Sequence, residues 1–215
     1  LRHRVGCIIV PRNNSGNVAD PSMKLTLAHL GFQKIVSVDP LDEVEIPGGK
    51  IISLPFPGEH VDLDIHSRHG ILVELMQKRI ALLVDSDGRD SNLFKRVVNR
   101  IGKKIDILLI GMECHGAPLS WLYGPLLTKA ITRRNDESRR LSGLDSERAW
   151  NVLQQFDVAQ VFIYAMGQEP WLKYIMGLEY TADSIQLKEI RLLLDRCRQA
   201  NICAEQLFIA REMEL

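Results

Sequence analysis

The segment Ile80-Ala81-Leu82-Leu83-Val84-Asp85-Ser86-Asp87 joins a short apolar run to a polar cluster, and this pattern decides the predicted fold. Three further apolar runs end in the same way: residues 51–56 before Gly58-Glu59-His60, residues 105–110 before Glu113-Cys114-His115, and residues 161–164 before Gln168-Glu169. Apolar runs of this length are typical of strands that are buried on both faces of a sheet. We therefore predict a layered α/β domain in which strand ends bring acids and histidines to one edge.

The remaining segments alternate between helical and strand-like patterns, as expected of an α/β protein. Helical spacing or capping residues predict helices over residues 22–30, 91–101, 145–156 and 184–200. Strands are predicted over residues 5–10, 34–38 and 202–209, with a hairpin of residues 71–76 and 79–84 around Gln77-Lys78. We treat residues 1–215 as a single domain.

The amino-acid composition of the chain limits the kinds of partner that it can attract. The 215 residues are 46% hydrophobic and 25% charged with a formal net charge of zero, so no strong field attracts nucleic acid or an anionic membrane. No apolar run approaches the roughly 20 residues of a membrane-spanning helix. The four cysteines contain no C-x-x-C pair, which disfavours a zinc ribbon and fits a reducing, cytoplasmic setting. Cys7 and Cys203 lie in apolar runs, and we predict that both are buried.

The polar clusters supply oxygen and nitrogen groups of the kind that hold divalent metal ions. Glu59 and His60 are candidate ligands, although the pair could form a solvated loop tip. Asp85 could bridge two metal ions, and the competing interpretation is an ordinary Asp-Ser-Asp-Gly turn. If both acids bind metal, Glu59 and Asp85 must lie close together.

The later clusters add candidates whose roles stay open. His115 could be a ligand, and Glu113 or His115 could line the site; a catalytic Cys114 is disfavoured because adjacent side chains diverge. Glu169 could be the last ligand. The charged residues 129–147 are interpreted as a solvated helix face or loop, with a substrate-contacting flap as the alternative.

The order of these clusters resembles the metallo-β-lactamase fold superfamily, entered after its H-x-H-x-D-H motif. Leu54-Pro55-Phe56-Pro57-Gly58-Glu59-His60 resembles the segment of the second metal ligand, and Val84-Asp85-Ser86-Asp87-Gly88 the segment of the bridging Asp. The strand that precedes Glu169 falls where the family places its last ligand. Gly-Glu-His in place of the usual Gly-His is similar to the di-iron hydroxylase subgroup known from chloramphenicol biosynthesis.

The resemblance implies an αββα sandwich of which this chain is the C-terminal portion, because the H-x-H-x-D-H motif is absent. It implies metal ligands at Glu59, His60, Asp85, His115 and Glu169, two zinc or iron ions in the complete protein, and an inactive fragment when the chain is alone. The first functional hypothesis is a hydrolase in which metal-activated water attacks an ester, lactone, amide or phosphoester of a small molecule. The alternatives are a di-iron oxygenase, with a carrier protein as a further partner, and a metal-free binding or scaffold domain.

Overall fold

The computed structural model describes residues 3–212 apart from 14, 19, 57, 59–66, 122–123, 139–140 and 209–210. Within these residues the chain forms nine strands and five α-helices. The strands are β1 (Ile8–Pro11), β2 (Ile35–Val38), β3 (Glu43–Ile46), β4 (Gly49–Leu54), β5 (Gly70–Leu75), β6 (Lys78–Leu83), β7 (Lys104–Gly111), β8 (Asp157–Tyr164) and β9 (Cys203–Gln206). The helices are α1 (Met23–His29), α2 (Ser91–Ile101), α3 (Arg133–Ser138), α4 (Ser146–Leu153) and α5 (Ile185–Gln199). The predicted α/β class is confirmed.

One seven-stranded sheet, in the order β3-β4-β5-β6-β7-β8-β9, forms the centre of the molecule. Strands β3 to β6 are antiparallel to their neighbours, whereas β6 to β9 are parallel. Because β4 and β6 are both antiparallel to β5, strands β4, β6, β7, β8 and β9 all point the same way. Their carboxyl ends therefore share one edge, called the carboxyl edge below. Strands β1 and β2 pair in a separate two-stranded parallel sheet.

The main core lies between the large sheet and helices α2, α4 and α5. The sheet contributes an aligned row of buried side chains, one from each of five neighbouring strands: Ile52, Leu72, Ala81, Leu108 and Val161. Apolar side chains of the three helices pack on this row, and Phe94, Val152 and Leu193 are examples with almost no exposure. Each large side chain buried in this way contributes roughly 1.5–3 kcal/mol of transfer free energy.

The other face of the sheet is covered less completely. Ile51, Ile80 and Leu82 alternate with buried neighbours along their strands and are only partly buried themselves. Ile107 and Phe162, in the middle of the sheet, retain 3% and 5% exposure. The prediction that all four runs are buried on both faces is therefore wrong for β4 and β6, because the three core helices pack against the opposite face.

Two hairpins differ from the sequence prediction. The turn between β5 and β6 is Met76-Gln77 rather than Gln77-Lys78, and both residues have positive φ (48° and 66°). A two-residue turn of this kind matches the right-handed twist of the strands. Because the turn is Met76-Gln77, Lys78 pairs with Leu75 in the ladder. Strand β3 was not predicted, because Glu-Val-Glu-Ile is a short, half-exposed edge strand with little apolar signal.

Side-chain caps mark the starts of two of the predicted helices. The Ser22 hydroxyl accepts a hydrogen bond from Leu25 N (3.3 Å), and the Asp145 carboxylate accepts one from Arg148 N (2.8 Å). Helix α2 ends at Gly102, whose φ of 85° suits glycine. No helix in the described part of the chain is long and apolar enough to cross a membrane.

Two of the four cysteines differ from the sequence prediction. Cys7 and Cys203 are exposed, so their predicted burial is wrong; Cys114 and Cys197 are buried instead. Cys203 begins the last strand of the sheet, and an edge strand has one unpaired side.

In the charged segment of residues 129–147, the short helix α3 is attached to the rest of the fold through Asp136, which accepts hydrogen bonds from Ser120 N (2.7 Å) and Ser120 Oγ (3.0 Å).

Candidate metal centre

The strand ends that precede the predicted polar clusters share one edge within the described residues, whereas the gathering of the polar side chains stays a prediction. An isolated antiparallel bridge joins Gly58, after β4, to Ser86, after β6. A Cβ built on Gly111, at the end of β7, would lie 3.2 Å from Asp85 N and 3.7 Å from the carbonyl oxygen of Tyr164. The backbones at the carboxyl ends of β4, β6, β7 and β8 are therefore in close contact.

Asp85 lies at the centre of this edge in an unusual backbone conformation. Its φ of 58° is in the left-handed region, which Asp tolerates better than most residues. Burial, followed by the charge of Asp85, raises the pKa of Tyr164 to about 12, against a smaller opposing effect from a backbone hydrogen bond at Val84. Tyr164 thus stays protonated near the Asp85 carboxylate and can donate a hydrogen bond.

Glu59 and His60 lie outside the described residues, as do Asp62, Asp64 and His66. Gly58, which directly precedes Glu59 in the sequence, is described. A Cβ built on Gly58 would lie 3.3 Å from the Asp85 carbonyl oxygen. Consecutive Cα atoms are about 3.8 Å apart. The proximity of Glu59 to Asp85 stays a prediction, and the backbone at Gly58 is compatible with it.

A second set of acidic residues acts on the partly buried phenol of Tyr180. Burial raises the pKa of Tyr180 strongly, and the charges of Glu113, Cys114 and Glu169 raise it further. The Tyr180 hydroxyl donates a hydrogen bond to the Met166 carbonyl oxygen (2.6 Å). Sequence reasoning selected Glu113 and Glu169 as site residues but missed Tyr180, because nothing local marks a tyrosine sixteen residues beyond the end of β8 at Tyr164.

His115 is placed in a network with helices α4 and α5. Its Nδ1 accepts a hydrogen bond from Arg148 Nη2 (2.9 Å), and its carbonyl oxygen accepts one from Gln186 Nε2 (2.6 Å). An arginine is always protonated and can only donate, so Nδ1 must be the unprotonated nitrogen and Nε2 carries the proton of the neutral ring. In this arrangement neither nitrogen offers a free lone pair to a metal ion.

Arg148 links this network to the loop after β6. Its Nη1 donates to the Asp87 carbonyl oxygen (3.0 Å), and its Nε donates to Asp145 Oδ2 (2.9 Å). One guanidinium therefore joins the loops that follow β6 and β7 to the start of α4. The sequence predicted helix α4, but it did not indicate that Arg148 connects these loops.

The described residues do not by themselves complete a metal site. Within the described part of the chain, no three His, Cys, Asp or Glu side chains converge closely enough to hold a metal ion. The carboxylates of Asp85, Glu113 and Glu169 are chemically suited to iron, but they form two neighbouring clusters. The roles of Glu59, His60, Asp85, His115 and Glu169 as metal ligands therefore stay predictions.

Gly167 shapes the loop that carries Glu169. Its φ is 65°, and an added Cβ would lie 2.1 Å from Leu178 Cδ1 and 3.7 Å from Glu113 Oε2. We expect Gly167→Ala to lower the free energy of unfolding by roughly 1–3 kcal/mol, from backbone strain and displacement of Leu178. Urea unfolding measures the loss. Gly6→Ala is the matched control, since nothing lies within 4 Å of its Cβ position. Equal stability of the two variants would contradict the prediction.

Comparison with known proteins places this edge in a family context. No family model matches the chain. The sequence is 34% identical over all 215 residues to the 4-amino-L-phenylalanyl-[CmlP-peptidyl-carrier-protein] 3-hydroxylase of Streptomyces venezuelae. The crystal structure of CmlA, a diiron β-hydroxylase from Streptomyces venezuelae, superposes with a TM-score of 0.86 at 33% identity, over the whole chain and 41% of that protein.

The resemblance of this chain to the metallo-β-lactamase fold superfamily is confirmed. A variant of the CmlA β-hydroxylase also superposes on this chain, with a TM-score of 0.80 over 96% of the chain and 39% of the variant. The chain spans 40% of the length of the hydroxylase relative. The resemblance of Gly58-Glu59-His60 and its neighbours to the di-iron hydroxylase subgroup is thus confirmed, and so is the metallo-β-lactamase-like fold class.

Proposed function

We propose that this chain forms part of a non-haem di-iron oxygenase that hydroxylates an amino-acyl substrate. The observation that carries the proposal is the 34% identity to a 3-hydroxylase along the complete 215 residues. The comparisons favour this alternative over the hydrolase that the sequence analysis placed first, and they do not support zinc.

In this proposal the metal ligands come from the carboxyl edge. Asp85 and Glu59 would hold iron from the ends of β6 and β4, with His60 and Glu169 as further candidates from the neighbouring loops. His115 fits a supporting role better than direct ligation, because its Nδ1 is engaged by Arg148. Iron bound among carboxylates supplies oxygen activation, which is chemistry that amino-acid side chains lack.

The residues of this chain would prepare the site in three ways. Tyr164 stays protonated and can donate a hydrogen bond near Asp85, since its pKa is raised to about 12 by burial and by the Asp85 charge. Tyr180 likewise retains its proton, since burial and the charges of Glu113, Cys114 and Glu169 raise its pKa. Arg148 holds the loops after β6 and β7 in fixed positions, which preserves the spacing of the groups that they carry.

We base the proposed substrate class on the hydroxylase relative. Its name states that it acts on a 4-amino-L-phenylalanyl group carried by a peptidyl carrier protein. We propose an aromatic amino-acyl group delivered in the same way, so that a carrier protein is the macromolecular partner. Since the formal net charge of this chain is zero, carrier recognition would depend on local contacts more than on long-range attraction.

The decisive experiment supplies the complete protein with ferrous iron, a reductant and oxygen. We expect carrier-bound 4-aminophenylalanine to gain one oxygen atom, detected by mass spectrometry of the carrier, while the free amino acid reacts at least about tenfold more slowly because it lacks the carrier's binding energy. Zinc-loaded protein serves as the control and should give no oxygenated product. Hydrolysis of a lactone, amide or phosphodiester by the zinc form, without oxygen-dependent product from the iron form, would restore the hydrolase hypothesis. Failure to retain any metal would favour the binding-domain hypothesis.

A further inference from the structure

Two adjoining cavities of about 250 Å³ and 230 Å³ lie beside the loop that follows β8. Gln168, Glu169 and Phe208 line both cavities, so the two form one continuous groove, called the β8 groove below. Tyr164 lines its inner end and Lys173 its outer end. Each cavity alone is smaller than an ordinary ligand pocket of about 300–1,000 Å³, whereas the two together fall within that range.

The inner end of the β8 groove lies close to Asp85, the candidate metal ligand. Tyr164 is the last residue of β8 and pairs with Gly111 of β7. A Cβ built on Gly111 would lie within 4 Å of both Asp85 N and the Tyr164 carbonyl oxygen. The groove therefore leads from the surface toward the part of the carboxyl edge where the proposed function requires iron.

Hydrogen bonds between distant segments hold the wall of the β8 groove in place. Gln206 Nε2 donates to Gln168 Oε1 (2.7 Å), which joins the end of β9 to the loop after β8. The Tyr180 hydroxyl donates to the Met166 carbonyl oxygen (2.6 Å), which fixes the start of the same loop. A groove that is formed before a ligand arrives lowers the conformational cost of binding.

The surface around the outer end of the groove is rich in exposed aromatic side chains. Trp171, Tyr174 and Phe208 are 58%, 70% and 58% exposed, and no other aromatic side chain among the described residues is more than half exposed. These three residues are called the aromatic rim below. Aromatic side chains are enriched at protein interfaces, where they bury a large area. Lys173 lies within the rim, with its ammonium 5.2 Å from the centre of the Tyr174 ring, and it is the one basic side chain among the described residues that line the groove.

We propose that the aromatic rim docks a peptidyl carrier protein and that the β8 groove receives the prosthetic arm of that carrier. A phosphodiester attaches the arm to its carrier, and Lys173 supplies the opposite charge where the groove meets the surface. This charge complementarity places the carrier at the outer end of the groove, with the amino-acyl group directed toward Tyr164 and Asp85. The inference deepens the proposed function and rests on it for the identity of the partner.

Calorimetry with the complete, metal-free protein tests the docking surface. The probes are a carrier protein that bears 4-aminophenylalanine on its arm through an amide, and the same carrier without its arm. We expect the arm-bearing carrier to bind at least about tenfold more tightly. Trp171→Ala should weaken the binding of both forms by about tenfold, since aromatic anchors dominate interface energetics. Lys173→Gln should weaken only the arm-bearing form, by about threefold or more, and should reduce the salt dependence of its binding.

Leu192→Ala on α5 and Lys103→Gln before β7 are the matched controls. Both side chains are exposed and line neither cavity of the groove, so carrier affinity should be unchanged. Unchanged affinity in the Trp171 and Lys173 variants, or no binding of either carrier form, overturns the proposal. A changed oligomeric state or a marked fall in melting temperature of Trp171→Ala also overturns it, because another segment or a second copy of this protein would then cover the rim. Since no iron or turnover is involved, a protein that binds the carrier through the rim without hydroxylating it would contradict only the proposed reaction.

Discussion

Asp85→Asn is expected to reduce iron binding and hydroxylation by at least about 100-fold. Loss of residues that merely support a metal ligand typically costs 10–100-fold, and Asp85 is proposed as a ligand itself. Asparagine suits this test because it tolerates the left-handed conformation that Asp85 adopts, so the backbone at φ 58° is preserved. Metal content of the purified protein and turnover of the carrier-bound substrate are the two measurements.

Asp183→Asn provides the control for a generic loss of negative charge. Asp183 is almost fully exposed and forms a surface ion pair with Lys188 (3.1 Å), so its replacement should leave iron content and turnover unchanged. If Asp85→Asn retained the full iron content and turned over substrate within twofold of the unmodified protein, Asp85 would be an ordinary turn residue. The Asp-Ser-Asp-Gly turn would then be the correct interpretation of this segment.

Arg148→Met is expected to lower the free energy of unfolding by roughly 2–3 kcal/mol, because it leaves partly buried partners without their charge-assisted hydrogen bonds. The guanidinium contacts Asp145, the Asp87 carbonyl oxygen and His115 within 3.0 Å, and only 19% of the side chain is exposed. Urea unfolding gives the value directly. Arg148→Lys should lose most of the same free energy, since one ammonium cannot reproduce the three directions of the fork.

The control for Arg148 is Arg133→Met on α3. Arg133 is 88% exposed and pairs with Glu137 on the surface (2.9 Å), so its loss should cost less than about 1 kcal/mol. Similar losses in the Arg148 and Arg133 variants would contradict the proposed role of the Arg148 network in holding the loops after β6 and β7.

The Arg148 network also predicts a pH dependence of stability. Burial raises the pKa of Asp145, but hydrogen bonds from the Arg148 backbone and side chain, together with the charge of Arg148, lower it by more, so the net pKa is below its ordinary value of 3.8. A depressed folded-state pKa contributes stability above pH 3.8 that is lost as the pH falls through the folded-state value. Arg148→Met should therefore flatten the stability profile below about pH 4.

Some features of this protein were determined by local sequence alone. The α/β class followed from apolar runs that alternate with helical spacing, and the capping residue Ser22 located the start of α1 because this interaction is local. The family resemblance came from the segments around Gly58 and Asp85 and from the strand before Glu169, and the similarity to the CmlA hydroxylase confirmed it.

Other features depended on contacts between distant segments, and no local pattern encodes these. Strand direction decided that the ends of β4, β6, β7 and β8 share one edge, since β5 reverses the chain between β4 and β6. Cys203 lies in a strand-like run but is exposed, because its strand occupies the edge of the sheet. Arg148 reaches His115 across 33 positions of sequence and so engages the nitrogen that the sequence alone had offered to a metal. The residue types were visible in the sequence, but their partners were fixed only when folding brought distant segments into contact.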